Sequence, residues 1–207
     1  MDIIIKDLSI EFDNGEKTIK VLNHLNLEVK SGEFVAILGP SGCGKTTLLK
    51  IMGGFEPEGK PSKEVFMIFQ DFNQLFPWRT LGGNIYYAIR KTSKGITKED
   101  AKKKAMKVLE DVGLETYYQL YPHQLSGGMK QRGALARALA VESKVLLMDE
   151  PFSSLDSESK KGAHELLLKL WKEKGITVIF VTHDLEEARK LSGKIIYFED
   201  INGKIPG

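Results

Sequence analysis

The sequence predicts an α/β fold in which helices flank a mostly parallel sheet. Three observations lead to this prediction. A short apolar run, EFVAILG, leads directly into a glycine-rich loop and a helix, GPSGCGKTTLLKIMGG. Further apolar runs, of the kind found in buried parallel strands, follow at EVFMIF, KVLLMDE and ITVIFVTHD. The helical stretch SESKKGAHELLLKLWKEKG separates the last two runs, so strand and helix alternate along the chain.

The two ends of the chain predict further strands. IIIKDLSIEF alternates as a strand does, DNG is a hairpin turn signal, and IKVLNHLNLEV is typical of a second strand. The tail GKIIYFEDINGKIPG predicts a last strand and a turn. We therefore expect an N-terminal antiparallel β subdomain beside the parallel core.

The middle of the chain has a mostly helical pattern from about residue 71 to 140. Its breaks lie at Pro77, Gly82–Gly83, Gly113 and Pro122. The length of 207 residues suits one compact domain. We expect a single domain over 1–207, with its core at about 1–70 and 141–207 and an inserted α-helical subdomain at about 71–140.

The composition excludes some functions and compartments. A net charge of +2 is too small to indicate a nucleic-acid partner. The lysine-rich stretch KEDAKKKAMKVLEDV has apolar residues at helical spacing, which predicts a solvated helix face. One cysteine excludes an intrachain disulfide and favours a reducing compartment. No apolar run approaches ~20 residues and the N-terminus does not resemble a signal peptide, so we expect a soluble or peripheral protein.

The glycine-rich loop matches the phosphate-binding pattern GxxxxGK[ST], with a strand before it and a helix after it. Its glycines let successive backbone N–H groups face phosphate oxygens. Lys45 supplies a positive charge to the β- and γ-phosphates, and the Thr46 hydroxyl can bind Mg²⁺. The loop therefore predicts binding of ATP with Mg²⁺. The expected nucleotide ligands here are Gly39, Pro40, Ser41, Gly42, Cys43, Gly44, Lys45, Thr46 and Thr47.

Two later strands end in polar residues. VLLMDE ends in Asp149 and Glu150, and VTHD places His183 at the end of the next strand. Asp149 fits the role of an acid that holds the Mg²⁺ shell. Glu150 can orient the water that attacks the γ-phosphate and accept its proton, while His183 can hydrogen-bond that phosphate. Ligands of parallel sheets gather at this carboxyl edge, which favours these assignments over two acids that merely cap a strand.

A second glycine turn, LSGGMKQR from Leu125 to Arg132, also precedes a helix. Together with GPSGCGKTT, Gln70 in IFQD, LLMDEP, SSLD and THD, it resembles the motif series of the ATP-binding cassette ATPases, and the series covers nearly the whole chain. The resemblance implies a P-loop NTPase core of the RecA-like kind. It also implies that two copies pair head to tail, so that each ATP lies between the phosphate loop of one copy and the glycine turn of the other.

The same resemblance assigns the remaining site residues. Ser126, Gly127 and Gly128 would contact the γ-phosphate of the partner's ATP at a helix start. Gln70 would sense Mg²⁺ and the attacking water, and Asp156 would help to join the two sites. Phe12 stands near where the family places an aromatic residue against adenine, although an inward-facing strand residue is an equally good interpretation.

The stretch FNQLFPWRTLGGNIYYAI after Gln70, with THDLEEA, resembles importer subunits for nitrate, sulfonate, taurine and related solutes. This implies two permease subunits, indirectly a solute-binding protein, and a cytoplasmic position on the inner face of the membrane. Leu75, Phe76, Pro77 and Trp78 would then receive a permease helix, unless they only pack the helical subdomain. Gln70 follows Lys45 by only 25 positions, fewer than the family usually has, which implies that part of the antiparallel subdomain is lost or is missing from this sequence.

Other functions remain open at this point. One alternative is an exporter or lipoprotein-release ATPase, which would have the same fold. A soluble cassette protein of translation or DNA repair usually carries two cassettes or a long coiled-coil insertion, and neither pattern is present here. A small P-loop kinase would leave the second glycine turn unexplained.

Overall fold

The computed structural model describes residues 2–13, 15, 17–55, 62, 64–70 and 74–203. The elements follow in this order: β1 (Ile3–Asp13), β2 (Thr18–Val29), β3 (Phe34–Leu38), α1 (Lys45–Met52), β4 (Val65–Ile68), α2 (Leu81–Thr92), α3 (Lys98–Asp111), two 3₁₀ turns (Glu115–Tyr117 and Pro122–Gln124), α4 (Gly127–Ala140), β5 (Val145–Asp149), α5 (Ser157–Lys174), β6 (Thr177–Thr182), α6 (Leu185–Leu191), β7 (Lys194–Tyr197) and α7 (Phe198–Ile201).

The chain forms two compact units. The first unit comprises residues 1–67, 144–150 and 171–207, and the second comprises residues 68–143 and 151–170. The first therefore contains the sheet and the phosphate loop, and the second contains the helical segment and the second glycine turn.

A five-stranded sheet in the order β4-β5-β6-β3-β7 forms the centre of the first unit. β3 pairs in parallel with β6 and β7, and β5 pairs in parallel with β6. Every residue of β3, β5 and β6 is buried, which explains why these segments are continuous apolar runs. The predicted parallel α/β core is confirmed. The register pairs Leu38 with Thr182 and Asp149 with Val181, so the three strands end at one edge.

The predicted antiparallel pair at the N-terminus is also confirmed. β1 and β2 form a two-stranded sheet in which Phe12 lies opposite Ile19. Asn14, in the predicted hairpin turn, lies outside the described residues, as do 56–61, Lys63 and 71–73. The register shifts between Ile10 and Glu11, so Val21 falls at an irregularity of the ladder.

The C-terminal strand is shorter than its apolar sequence predicts. β7 ends at Tyr197, and Phe198–Ile201 forms a helical turn instead of continuing the strand. Phe198 is 3% exposed, so the turn buries this side chain in the first unit. Residues 204–207, the end of the predicted tail, lie outside the described part of the chain.

The helices α2, α3 and α4 of the second unit pack around one apolar core. Threonine or serine caps each of them: Thr80, Thr97 and Ser126 accept a hydrogen bond from a backbone N–H in the first turn of the helix. The core contains Leu81, Ile85, Ile89, Ala101, Ala105, Val108, Leu109, Ala136 and Ala140. Across the described residues, no helix combines the length and the apolar character needed to cross a membrane.

Candidate functional site

The phosphate loop joins β3 to α1 in the first unit and follows the glycine pattern of its sequence. Gly42 has φ +81° and Gly44 has φ +111°, a region that L side chains rarely adopt. A Cβ atom at Gly44 would also lie 3.0 Å from Cγ1 of Val21 and 3.1 Å from Cζ of Phe198. Glycine is therefore required at this position, both for the turn and for the close packing of the loop.

Lys45 is almost fully buried at the start of α1, with 4% of its surface exposed. Its Nζ donates hydrogen bonds to the carbonyl oxygens of Gly39 at 2.8 Å and Pro40 at 2.6 Å. The same ammonium lies 3.9 Å from Sγ of Cys43. These contacts hold the charge within the loop, where phosphate oxygens would offer stronger, charge-assisted partners than the neutral carbonyls.

Thr46 and Asp149 meet across the first unit, although 103 residues separate them in the sequence. The Thr46 hydroxyl donates to Oδ1 of Asp149 at 3.1 Å. Burial raises the pKa of the Asp149 carboxyl, and the nearby Glu150 charge raises it further, whereas the Thr46 hydrogen bond and Lys45 oppose this rise. A cation at this carboxylate would offset its desolvation.

The oxygen ligands of this pair suit Mg²⁺, which prefers carboxylate and hydroxyl oxygens and keeps several of its waters. No group of three or more His, Cys, Asp or Glu side chains is arranged to hold a metal within the described ranges. The residues present therefore fit a metal that arrives with phosphate oxygens rather than one held by protein ligands alone.

Glu150 and His183 lie together where the neighbouring strands β5 and β6 end. His183 Nδ1 is 3.1 Å from Glu150 Oε2, and which atom carries the proton depends on the histidine tautomer. The Glu150 backbone adopts φ +41°, an uncommon value for a residue other than glycine, and its N–H donates to the carbonyl oxygen of Val181 at 3.1 Å. Strained backbone of this kind clusters at functional sites, which supports a special role for Glu150.

Phe12 is 44% exposed on β1, and its cross-strand partner Ile19 is 52% exposed. Ile19 lines a cavity that also reaches Gly42 and Cys43 of the phosphate loop, but Phe12 is not among the residues that line it. The structure thus places an exposed aromatic residue opposite a residue of that cavity.

The second glycine turn belongs to the second unit. Ser126 is the N-cap of α4, and its Oγ accepts a hydrogen bond from the Met129 N–H at 3.3 Å. Ser126 and Gly127 are exposed, and a Cβ atom at Gly128 would lie 3.1 Å from Cβ of Ser159. An exposed start of a 14-residue helix can receive an anion, because its free N–H groups and the helix dipole both favour negative charge.

Two further sequence-predicted residues are also placed in the second unit. Gln70 is exposed just beyond the end of β4. The Asp156 carboxylate accepts hydrogen bonds from the N–H groups of Ser159 at 2.9 Å and Glu158 at 3.1 Å, which lower its pKa. Asp156 therefore orders the start of α5, a role that its sequence motif alone did not indicate.

A partly exposed aromatic cluster forms at the start of the helical segment, with Phe76 and Tyr87 half-buried. The ring centroid of Phe76 lies 5.4 Å from that of Trp78 and 5.4 Å from that of Tyr87. Trp78 is 70% exposed. The Arg79 guanidinium lies over the Tyr87 ring at 4.5 Å, and the Arg137 guanidinium lies over Phe76 at 5.1 Å.

Leu75 does not join this surface. It is 2% exposed and belongs to the core between the helices, so the prediction that it lines a surface groove is wrong. Tyr87, Arg79 and Arg137, which sequence reasoning did not single out, form the surface with Phe76 and Trp78 instead. Tyr87 lies on α2, Arg137 lies on α4 and Arg79 precedes α2, and no local pattern in the sequence indicates that these segments approach one another.

Comparison with known proteins gives one consistent result. The family described as ABC transporter matches residues 22–153. The chain is 40% identical to the aliphatic sulfonates import ATP-binding protein SsuB of Bacillus cereus, over 99% of this chain and 84% of the relative. It is 38% identical to the taurine import ATP-binding protein TauB of Yersinia pestis, over 89% of this chain and 76% of the relative.

Among solved structures, the fold is similar to the dimeric, post-hydrolysis state of the ATP-binding cassette MJ0796 bound to ADP and Pi. The TM-score is 0.85 at 34% sequence identity, with 100% of both chains covered. The similarity therefore extends over both compact units and is not limited to the phosphate loop.

Proposed function

This chain belongs to the ABC transporter family, and from that premise we propose that it is the ATP-hydrolysing subunit of an importer for a small organosulfonate. The observation that carries the proposal is the convergence of three features on the first unit. These are the buried Lys45 in its glycine loop, the Thr46–Asp149 pair, and Glu150 beside His183.

The phosphate loop supplies the binding energy for the nucleotide. The N–H groups of residues 41–46 face the α- and β-phosphates, and Lys45 exchanges its carbonyl partners for β- and γ-phosphate oxygens. Thr46 and Asp149 would hold Mg²⁺ that arrives with the nucleotide, and the ion would neutralise negative charge on the phosphates.

Glu150 provides the base for hydrolysis. Its carboxylate orients a water molecule and accepts a proton as the water oxygen attacks the γ-phosphorus and the bond to the β,γ-bridging oxygen breaks. His183 fixes the carboxylate through Nδ1, and its other ring nitrogen can contact the γ-phosphate. The products are ADP and inorganic phosphate.

The second glycine turn completes the site of another copy. Ser126, Gly127 and Gly128 present the start of α4, which suits the γ-phosphate bound by the loop of a partner subunit. The similar cassette MJ0796 is described as dimeric and bound to ADP and Pi, which supports head-to-tail pairing of two copies. ATP binding would then close the dimer, and hydrolysis would reopen it.

The aromatic cluster of Phe76, Trp78 and Tyr87 is the proposed contact with the permease subunits. Trp78 is 70% exposed, large exposed aromatic residues are typical anchors of protein interfaces, and a membrane-spanning subunit can present a short helix to such an anchor. We place the protein in the cytoplasm, on the inner face of the membrane, where such subunits expose their helices. A solute-binding protein would deliver the cargo on the opposite side.

Relatives named for aliphatic sulfonates and for taurine, itself a sulfonate, support an organosulfonate cargo. The test is uptake by proteoliposomes that contain this chain and the permease encoded beside its gene, with the solute-binding protein outside. ATP-dependent uptake of labelled taurine or ethanesulfonate, absent with ADP, is the expected result. Uptake of nitrate instead of both sulfonates would overturn the assigned cargo, and ATP-driven release of solute would overturn import.

A further inference from the structure

We propose that Glu199, on the helical turn α7, reads the base of the bound nucleotide by accepting a hydrogen bond from a base N–H group. This inference rests on the proposed function, because it assumes that ATP binds at the phosphate loop. It adds a specificity-determining residue outside the sequence motifs that carry the chemistry.

The first observation is a cavity in the first unit beside the phosphate loop. It has a volume of about 370 Å³, within the range of small-molecule sites. Gly42 and Cys43 line it on the loop side, and Ile19 and Val21 of β2 line a second side. A nucleotide whose phosphates lie in the loop has its base within reach of this space, because Gly42 and Cys43 belong to both.

The walls suit a flat aromatic ring. Ile19 and Val21 are apolar, and Phe198, which also lines the cavity, is 3% exposed and packs against the loop. Cβ of Phe198 lies 3.1 Å from the position that a Cβ atom at Gly39 would occupy. This packing brings one wall of the cavity directly against the phosphate loop.

Three hydrogen bonds hold the turn that carries Glu199 against β2. The Asn202 Oδ1 accepts from the Asn23 N–H at 2.8 Å, and the Asn202 Nδ2 donates to the carbonyl oxygen of Val21 at 3.3 Å. The Gly203 N–H donates to the carbonyl oxygen of Asn23 at 2.8 Å. Glu199 therefore extends from a backbone anchored to the same strand that lines the cavity.

The chemistry of the lining singles out Glu199. Among the described residues that line the cavity, it carries the only carboxylate. The Asn202 amide is already bonded to β2, and the Lys20 ammonium lies 3.6 Å from a Glu11 carboxylate oxygen. An ionised carboxylate only accepts hydrogen bonds, and the N6 amino group carries the only N–H donors of adenine. The 6-amino group of ATP is thus the expected partner of Glu199.

The experiment compares ATP with purine riboside triphosphate, which lacks the 6-amino group and is otherwise identical. Dissociation constants are measured by calorimetry for the wild type, Glu199→Ala and Glu199→Gln. Asp200→Asn is the matched control, because Asp200 is an exposed acid on the same turn that does not line the cavity. Thermal melting confirms that each variant is folded.

We expect the wild type to bind ATP about 3- to 10-fold more tightly than purine riboside triphosphate. This ratio of affinities is what one charge-assisted hydrogen bond contributes when it is partly exposed to water. Glu199→Ala should reduce this preference to about one, because it weakens the binding of ATP but not that of purine riboside triphosphate. Glu199→Gln keeps a carbonyl acceptor, so its preference should lie between those of the wild type and Glu199→Ala. Asp200→Asn should retain the wild-type preference.

An unchanged preference in Glu199→Ala, or an equal loss for both nucleotides, would overturn this inference alone, since ATP would still bind. Failure of the wild type to bind ATP at all would overturn the proposed function, and this inference with it.

Discussion

Nδ1 of His183 lies 3.1 Å from Oε2 of Glu150, at the point where two adjacent parallel strands end. The side chain of Glu150 is 13% exposed and that of His183 is 55% exposed, so the carboxylate is enclosed while the imidazole reaches solvent. Together with the left-handed backbone of Glu150, this pair holds one carboxylate in a defined orientation beside the phosphate loop.

We expect Glu150→Gln to retain ATP binding but to lose turnover by about 10²- to 10⁴-fold, the range associated with loss of a general base. The amide keeps the shape of the side chain but cannot accept the proton. Phosphate release measures the rate, and size-exclusion chromatography with ATP should show a trapped dimer. Glu173→Gln, an exposed acid at the end of α5, is the control. A monomeric Glu150→Gln variant saturated with ATP would contradict the scheme.

We expect Lys45→Ala to weaken ATP binding by about 10²-fold or more, since it removes a buried charge from the phosphate site. Lys172→Ala removes an exposed lysine of the same unit and should leave the affinity within about twofold. Equilibrium binding of a fluorescent ATP analogue distinguishes the two variants. Unchanged affinity in Lys45→Ala would refute the role assigned to this ammonium.

Asp149→Asn should stabilise the nucleotide-free protein at neutral pH. Burial raises the pKa of Asp149 above its ordinary value of 3.8, so the native state binds the proton more tightly than the unfolded chain does. The ionised form therefore lowers the free energy of unfolding, and this cost grows as the pH rises from about 3.8 through the raised pKa. Asparagine still accepts the Thr46 hydrogen bond but carries no charge.

Thermal melting across pH measures this effect. The variant should melt at a higher temperature than the wild type at pH 7, because it lacks the desolvated charge. The difference should vanish below about pH 3.8, where both states are protonated. Mg²⁺ with ATP should then raise the Tm of the wild type more than that of the variant. A variant less stable at pH 7 would contradict the sign of the argument.

Shared sites can be tested by mixing two inactive variants. Ser126→Asp keeps a side chain that can cap α4 but places a negative charge where the partner's γ-phosphate would lie, and Ser126→Asn is its neutral control. Mixed with Lys45→Ala, Ser126→Asp should recover roughly a quarter of the wild-type activity, because half of randomly formed dimers would contain one intact site. Two different affinity tags verify that mixed dimers form. If they form and the mixture has no more ATPase activity than either variant alone, the result would argue against shared sites.

Trp78→Ala should weaken association with the permease by at least ~30-fold, as expected for an exposed aromatic anchor. The ATPase activity of the isolated protein should not change. Tyr117→Ala, which removes another exposed aromatic residue of the second unit, is the control. Co-purification with the detergent-extracted permease gives the readout, and equal recovery of both variants would place the interface elsewhere.

The sequence by itself determined the features that depend on neighbouring residues. The phosphate loop requires glycines and a lysine within eight consecutive positions, and the second turn requires a serine and two glycines at a helix start. The apolar runs likewise predicted the buried strands β3, β5 and β6, because a strand covered on both faces has few positions for polar side chains.

Only the tertiary structure decided which distant groups meet. Thr46 bonds to Asp149 across 103 residues and His183 reaches Glu150 across 33, because parallel strands of set register end at one edge. Neither the left-handed backbone of Glu150 nor the burial of Leu75 has a local signal, since both follow from packing against segments remote in the sequence. The cavity beside the loop arises in the same way, because the turn bearing Glu199 bonds to a strand nearly 180 residues earlier.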